Sequence, residues 1–257
     1  MNRQERVEVF QDTYNRTKED SKAEIVKETE ELAETSACTN IEVVQGTSFA
    51  VARKYAGKRV CVLNFASATN AGGGVKKGSS AQEECLCRES SLYQSLKSDY
   101  LWKNYYSYHR ERHNTLYTNR LVYVPKVTVI KDARGKDIEP FEVSVIGCAA
   151  PNLREHPSNA MNPCAGEPVK ITDKELLELL TERYRRVVAL AEEKKTEILV
   201  TGAIGCGAFK NKPEIVARAW KEALKKNGST LEKVVFGIYC KENETANYTV
   251  FKRVFNG

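Results

Sequence analysis

Apolar and polar positions change their period repeatedly along this chain, and the changes mark its elements. Residues 59–65, RVCVLNF, are an apolar run of strand length suited to burial on both faces of a sheet. Before it, 41–44 read as a short strand and 47–55 as a helix. A glycine-rich stretch follows it, then a helical pattern over about 82–97. Residues 121–124 and 126–130 are strand candidates, Ala133-Arg134-Gly135 marks a turn, and 142–149 form another apolar strand ended by Pro151. After a loop over 151–171, Thr172 caps a long helix reaching about Lys195, with Glu175 at capping-box spacing. A strand over 197–201, a second glycine-rich loop over 202–211, a helix with Pro213 in its first turn and a buried strand over 233–239 complete the pattern. Strands alternating with helices predict a mixed, largely parallel sheet covered by helices. Residues 1–36 lack Pro and Gly and carry apolar positions at Val7, Phe10, Tyr14, Ile25 and Leu32. They predict an extension of one or two helices, packed on a main domain over 37–257 or partly detached from it.

Composition narrows the class. Of 257 residues, 41% are hydrophobic and 29% charged, as in a packed globular protein. Forty basic against 34 acidic residues leave +6, which suits an acidic substrate without demanding one. No apolar run approaches the roughly 20 residues of a membrane span, and the polar first 20 residues lack a secretory core, so a cytoplasmic protein without a membrane partner is expected. Eight cysteines (Cys38, Cys61, Cys85, Cys87, Cys148, Cys164, Cys206 and Cys240) form no CxxC pair and read as free thiols.

Residues 99–113 are aromatic and basic, with Tyr100, Trp102, Tyr105, Tyr106, Tyr108 and His109. A nucleic-acid surface would explain the aromatics and the charge, but packed amphipathic rings are commoner, and direct nucleic-acid binding is not expected. His109 and His113 share helical spacing without an HExxH pattern or a third ligand, so no metal site is expected. His156 has no readable role, and Asn152 lines a cleft or simply makes a turn.

Two glycine loops, each after an apolar strand and before a helix, carry the first chemical signal. They are Asn70-Ala71-Gly72-Gly73-Gly74 and Gly202-Ala203-Ile204-Gly205-Cys206-Gly207-Ala208-Phe209. Glycine lets backbone N–H groups approach a phosphate at the carboxyl ends of strands. Neither loop is a dinucleotide fingerprint or a Walker A loop, but two on separate strands point to a diphosphate. Gln82-Glu83-Glu84 follows the triple glycine after seven residues. Acids in a first helical turn ordinarily just complement the dipole. Beside a phosphate loop a carboxylate is disfavoured, and burial would raise its pKa, which makes it a candidate general acid. Cys85 and Cys87 have no histidine nearby in sequence to activate them as nucleophiles.

Asn64-Phe65-Ala66-Ser67, Asn70, Gly72-Gly73-Gly74 and Gln82-Glu83-Glu84 together resemble the signature of poly(ADP-ribose) glycohydrolases, in which a triple glycine precedes Gln-Glu-Glu by a short spacer. The Asn-Phe-Ala-Ser lead-in resembles the bacterial type. Gly205 to Phe209, with Asn211, resembles the diphosphate loop of those enzymes. Ala71 departs from the pattern, which has Pro there.

The resemblance implies an α/β fold, macrodomain-like, with three α/β/α layers around a mixed central sheet and an N-terminal helical extension. It implies hydrolysis of ribose–ribose bonds in poly(ADP-ribose), free or on an ADP-ribosylated protein, with release of ADP-ribose from chain ends and without metal or cofactor. Glu84 would be the acid and then the base, and Glu83 would hold ribose hydroxyls. Asn70 would contact the ribose, Gly72, Gly73 and Gly74 would approach the substrate next to the scissile bond, and Asn64 and Gln82 would bind ADP-ribose. Ala203, Ile204, Gly205, Cys206, Gly207, Ala208, Phe209 and Asn211 would wrap the diphosphate, with the Phe209 ring on a ribose. Two-carboxylate glycosidases divide acid and nucleophile between partners. Adjacent glutamates must point apart, so one carboxylate would act twice. The alternative is a non-catalytic ADP-ribose reader, which needs the loops but not the paired glutamates.

Overall fold

The most apolar run of the sequence, β3 (Val60–Phe65), lies at the middle of a seven-stranded sheet. The computed structural model describes residues 1–158, 166–241 and 245–256. The other strands are β1 (Glu24–Val26), β2 (Ile41–Gln45), β4 (Leu121–Lys131), β5 (Asp137–Cys148), β6 (Ile198–Thr201) and β7 (Lys233–Ile238). Their order is β1-β4-β5-β3-β6-β7-β2. From β5 to β2 all neighbours are parallel, whereas β4 and β1 join antiparallel.

β3 is clothed on both faces, as its unbroken apolar run predicts. Val60 and Val62 face a layer built from α1 (Arg3–Arg16), α2 (Ser48–Arg53), α3 (Gln82–Glu89), α4 (Leu92–Leu96), α5 (Asp99–Leu101), a π-helical turn (Trp102–Tyr106) and α6 (Ser107–Arg112). Cys61 and Leu63 face α7 (Asp173–Glu193), α8 (Pro213–Lys226) and α9 (Ala246–Asn256), where Trp220 stacks on Tyr184 with ring centroids 4.2 Å apart. The capping box of α7 forms as its sequence predicts, with the Glu175 N–H donating to Thr172 and the Thr172 N–H to Glu175.

Three local expectations change. The N-terminal segment holds one helix, and its second apolar stripe is β1, paired with β4 through Ile25↔Val122. Three residues are too few to display a period, and the sheet edge overrides the helix-favouring Glu and Lys around them. The helix expected over 82–97 breaks at Ser90, which is extended and bridges to Val129. The Ser90 hydroxyl closes α3 by donating to the Leu86 carbonyl and starts α4 by accepting from the Leu92 N–H. The two strands expected over 121–130 are one strand that runs through Pro125. The register shifts between Val124 and Val127, and β1 covers only Leu121–Tyr123, so the missing N–H of Pro125 costs no ladder bond.

α1 is not a detached arm. Arg3 donates to the Lys77 carbonyl and Arg6 to the Gly78 carbonyl, each at 2.7 Å, and Thr13 donates to the Arg88 carbonyl at 2.6 Å. The helix thereby braces the segment between the triple glycine and the end of α3.

The carboxyl edge of the sheet depends on Gly202, directly after β6. A Cβ there would lie 2.7 Å from the Gly237 carbonyl oxygen of β7 and 3.1 Å from the Phe65 ring. Gly202→Ala is expected to overpack this edge and cost about 1–3 kcal/mol of stability, read by chemical denaturation.

Candidate active site

β3 ends at Phe65, and the chain turns through Ala66–Gly74 and a 3₁₀ turn (Val75–Lys77) into α3. Ala81 caps α3, so Glu83 and Glu84 fall in its first turn, where the partial positive charge of free N–H groups favours carboxylates. Both side chains are more than nine-tenths buried. They point apart and yet converge on one residue. Glu83 accepts from the Asn64 amide at 3.1 Å and the Ser67 N–H at 2.9 Å. Glu84 Oε1 accepts from the Gly74 N–H at 2.8 Å. Gly73, in the left-handed region at φ 55°, lies against both. A Cβ there would be 2.5 Å from Glu84 Oε1 and 3.2 Å from Glu83 Oε2, so only glycine fits.

No cation forms a salt bridge with either carboxylate among the described residues. Burial first, and then the charge of Glu84, push the Glu83 carboxyl up to about 8, against the opposing hydrogen bonds from Asn64 and Ser67. Buried carboxylates without counter-ions at a cleft are a signature of chemistry rather than of stability.

The remaining predicted residues divide between building the site and lining it. The Gln82 amide is occupied with structure: it accepts from the Phe65 N–H and donates to the Leu63 carbonyl and to Ser48. Asn64 is fully buried behind Glu83. Asn211 donates to the Pro151 carbonyl at 2.7 Å and, more weakly, to the Gly205 and Phe209 carbonyls, which ties the second loop into a fixed curve. Gly205, at φ 76°, passes so close that a Cβ would meet Ala150 and the Asn211 amide, both at 2.7 Å. Ile204 is buried in the core, whereas Gly207 and Ala208 are exposed. Asn70, with Ser67 Oγ accepting from its N–H, and Gly72 complete the first loop.

The two loops meet. Phe209 packs with Ala68 of the first loop, Ala149 after β5, and Tyr117, whose ring centroid lies 6.4 Å away. The N–H groups of Gly207, Ala208 and Phe209 have no protein acceptor among the described residues. Buried oxygens of Asn64, Thr201 and Asn211, all at this edge, also have no partner among the described residues. Open donors on the second loop and unpartnered oxygens at the strand ends mark a ligand surface.

Sequence reasoning missed Tyr117, a large residue held at φ 56°, and Arg183, a fully buried guanidinium from α7. Arg183 donates to the Ala149 carbonyl, Asn119 Oδ1 and the Leu116 carbonyl and so anchors the loop that carries Tyr117. Neither has a local motif. The 99–113 aromatics divide: Tyr105 and Tyr106 are buried, and His109 bonds the Tyr105 carbonyl and Thr118 with its ring pushed down to about 4 by burial, whereas Tyr100 and Trp102 are exposed. The seven described cysteines are free, burial holds the Cys85 thiol up at about 11, and Cys164 lies outside the described residues. Part of the 151–171 loop lies outside them too. Asn152 is buried, its N–H bonding the Thr115 carbonyl.

Two glycine loops at the carboxyl edge of parallel strands, over a buried and uncompensated carboxylate pair, define a hydrolytic α/β site for a phosphate-bearing ligand. Comparison with known proteins gives the family. Residues 1–132 match the model of the microbial-type PARG catalytic domain, PARG being poly(ADP-ribose) glycohydrolase, and the chain belongs to that family. The Thermomonospora curvata poly(ADP-ribose) glycohydrolase bound to the inhibitor ADP-HPD is similar at a TM-score of 0.80 and 28% identity, covering 98% of this chain and 99% of that one. A second structure of the Thermomonospora curvata enzyme gives 0.81 and 29%, covering 98% and 100%. The Deinococcus radiodurans enzyme in complex with ADP-ribose gives 0.74 and 31%, covering 100% and 92%. No curated protein sequence matches the chain.

The raised Glu83 carboxyl makes a pH prediction. The folded chain holds this proton up to about 8, whereas the unfolded chain releases it near the ordinary value of 4.5. The associated stability is therefore fully present below 4.5 and is lost as pH rises through 8. Glu89, also buried and held up to about 8, shares that window, so the comparison is with a variant. Glu83→Gln is expected to gain stability relative to the unmodified chain as pH rises from 4.5 to 8, in denaturation series at stepped pH. A constant difference between the two would refute it.

Proposed function

We propose that this chain hydrolyses poly(ADP-ribose) at its ribose–ribose bonds and releases ADP-ribose from chain ends, with Glu84 as the group that moves the proton. The observation that carries the reading is the placement of Glu84. Gly73 lets the backbone pass against its carboxylate, and the Gly74 N–H occupies Oε1, so Oε2 is the oxygen left to exchange a proton.

In this reading the protonated Glu84 gives its proton to the leaving ribose oxygen as the glycosidic C–O bond breaks. The sugar left behind carries oxocarbenium character, and the substrate's own diphosphate stabilises it. The Glu84 carboxylate then takes a proton from the water that attacks that carbon, which restores the acid. Glu83, fixed by Asn64 and Ser67, holds the ribose hydroxyls. The free N–H groups of Gly207, Ala208 and Phe209 receive the diphosphate, and the Phe209 ring, backed by Tyr117, covers a ribose. Gln82 and Asn211 act through the backbone they hold. A non-catalytic reader would have no use for two buried carboxylates held without counter-ions.

Incubation with end-labelled poly(ADP-ribose), with products separated by size, tests the reading. Single ADP-ribose units should appear from the start, and early long oligomers would contradict cutting from the ends. Glu84→Gln keeps its shape but cannot cycle a proton, so single-turnover cleavage should fall by about 10²–10⁴-fold while ADP-ribose still binds. Glu83→Gln should differ in kind and lose ADP-ribose affinity in a calorimetric titration. Near-normal cleavage by Glu84→Gln would remove the mechanism.

A further inference from the structure

Beside the carboxyl edge lies a second concavity that the catalytic chemistry does not use. It encloses about 500 Å³ and is lined by Ile25, Lys27, Tyr100, Lys103, Asn104, Tyr108, Glu111 and Arg120. That is the size of a pocket for a nucleotide-sized ligand. Its place in the fold follows from the strand register. Phe65 of β3 pairs with Cys148 of β5, Cys148 with Leu121 of β4, and Leu121 with Val26 of β1. Lys27 and Arg120 therefore stand one residue beyond the same row of strand ends from which the first glycine loop starts. Three strand spacings, roughly 14 Å, separate β3 from β1 along that edge.

A line of rings joins the two places. Phe209 lies 6.4 Å from Tyr117, Tyr117 5.9 Å from His109, and His109 5.5 Å from Tyr108, which lines the groove. The groove has the chemistry of a phosphate-and-base site. Lys27 and Lys103 form no ion pair among the described residues. Arg120 is held by Glu28 at 2.7 Å and lies over the Tyr108 ring at 3.3 Å. Glu111 is the one acid in the lining, against three cations. Tyr100 is half exposed, a large ring offered to solvent at the mouth.

We propose that this groove binds the polymer on the leaving side of the scissile bond, with the diphosphate of the adjoining ADP-ribose unit on Lys27 and Lys103 and the next adenine along the chain on Tyr100. The proposal rests on the poly(ADP-ribose) reading above. The order along the edge agrees with it: the second glycine loop follows β6, the carboxylates follow β3, and the groove lies beyond β5. A polymer held by its terminal diphosphate at β6 and cut at β3 leaves toward β4 and β1. The adjoining unit's own adenine stays beside the cut, on the ribose that is released, while its diphosphate and outer ribose extend away and can span that separation to the next adenine.

The test uses the full chain with Tyr100→Ala, Lys27→Ala and Lys103→Ala, singly and combined, and Tyr100→Phe. All these side chains lie outside the machinery assigned above. Loss of the ring should raise KM for long poly(ADP-ribose) about tenfold, and Tyr100→Phe, which keeps the stacking face, should stay near the unmodified value. Each lysine removed should lower the slope of log polymer affinity against log salt by about 0.7. Affinity for free ADP-ribose, and turnover of an ADP-ribose bearing a nitrophenyl leaving group in place of the adjoining unit, should not change. The proposal falls if polymer KM and affinity are unchanged in the triple variant, or if free ADP-ribose affinity falls equally. It falls too if the variants lose affinity for single-stranded RNA but keep it for the polymer. If the unmodified chain cuts no polymer, the proposed function fails instead, and polymer binding by the same variants still decides the groove.

Discussion

Two carboxylates lie side by side in the interior of this protein with no cation beside them, and the surrounding structure is arranged to hold them there. An isolated buried carboxylate is expensive, and a second one next to it adds repulsion. The protein meets that cost with neutral donors: the Asn64 amide, the N–H groups of Ser67 and Gly74, and the amino-terminal turn of α3. These donors offset part of the penalty and leave the rest as a raised pKa at Glu83. Arginine or lysine would neutralise the pair more cheaply and would hold the acids ionised.

That constraint explains features remote from the carboxylates. The donors are useful only if the first loop keeps its shape, and the loop has no regular structure of its own. Gln82 ties it to β3, and Arg3 and Arg6 of α1 hold the carbonyls just beyond it. The N-terminal segment is therefore part of the framework of the site. α1 presses on the α3 side, and β1 extends the sheet edge on which the second groove forms. On the opposite flank, the buried Arg183 fixes the loop of Tyr117, against which Phe209 rests. Each loop thus has a rigid support behind it, as a preorganised site needs.

The second glycine loop follows the same logic with opposite charge. Asn211 consumes carbonyls on the inner side of the turn, while the N–H groups at its tip stay open. Acceptors are satisfied inward and donors are presented outward, which suits an anion. The carboxylates and the open N–H donors share one edge of the sheet because every parallel strand there points its carboxyl end the same way.

The sequence by itself determined the elements that have a period or a local chemistry. The unbroken run of β3 implied a strand buried on both faces, Thr172 and Glu175 implied the start of α7, and the glycines together with Gln82-Glu83-Glu84 marked the candidate site. Those signals lie within a few residues of one another, so local reasoning could reach them. Tertiary structure alone decided that Ile25 and Val26 form a strand, that β4 passes through Pro125, and that Ser90 divides a helix, because in each case the deciding partner is distant in the chain. It also decided that Glu83 carries a raised pKa and what the site's amides do. Burial and hydrogen-bond partners are sums over many segments, and no single segment records them. The groove of Lys27, Tyr100, Lys103 and Arg120 belongs to the same class: four residues from three stretches of chain, brought together by the register of β1 on β4.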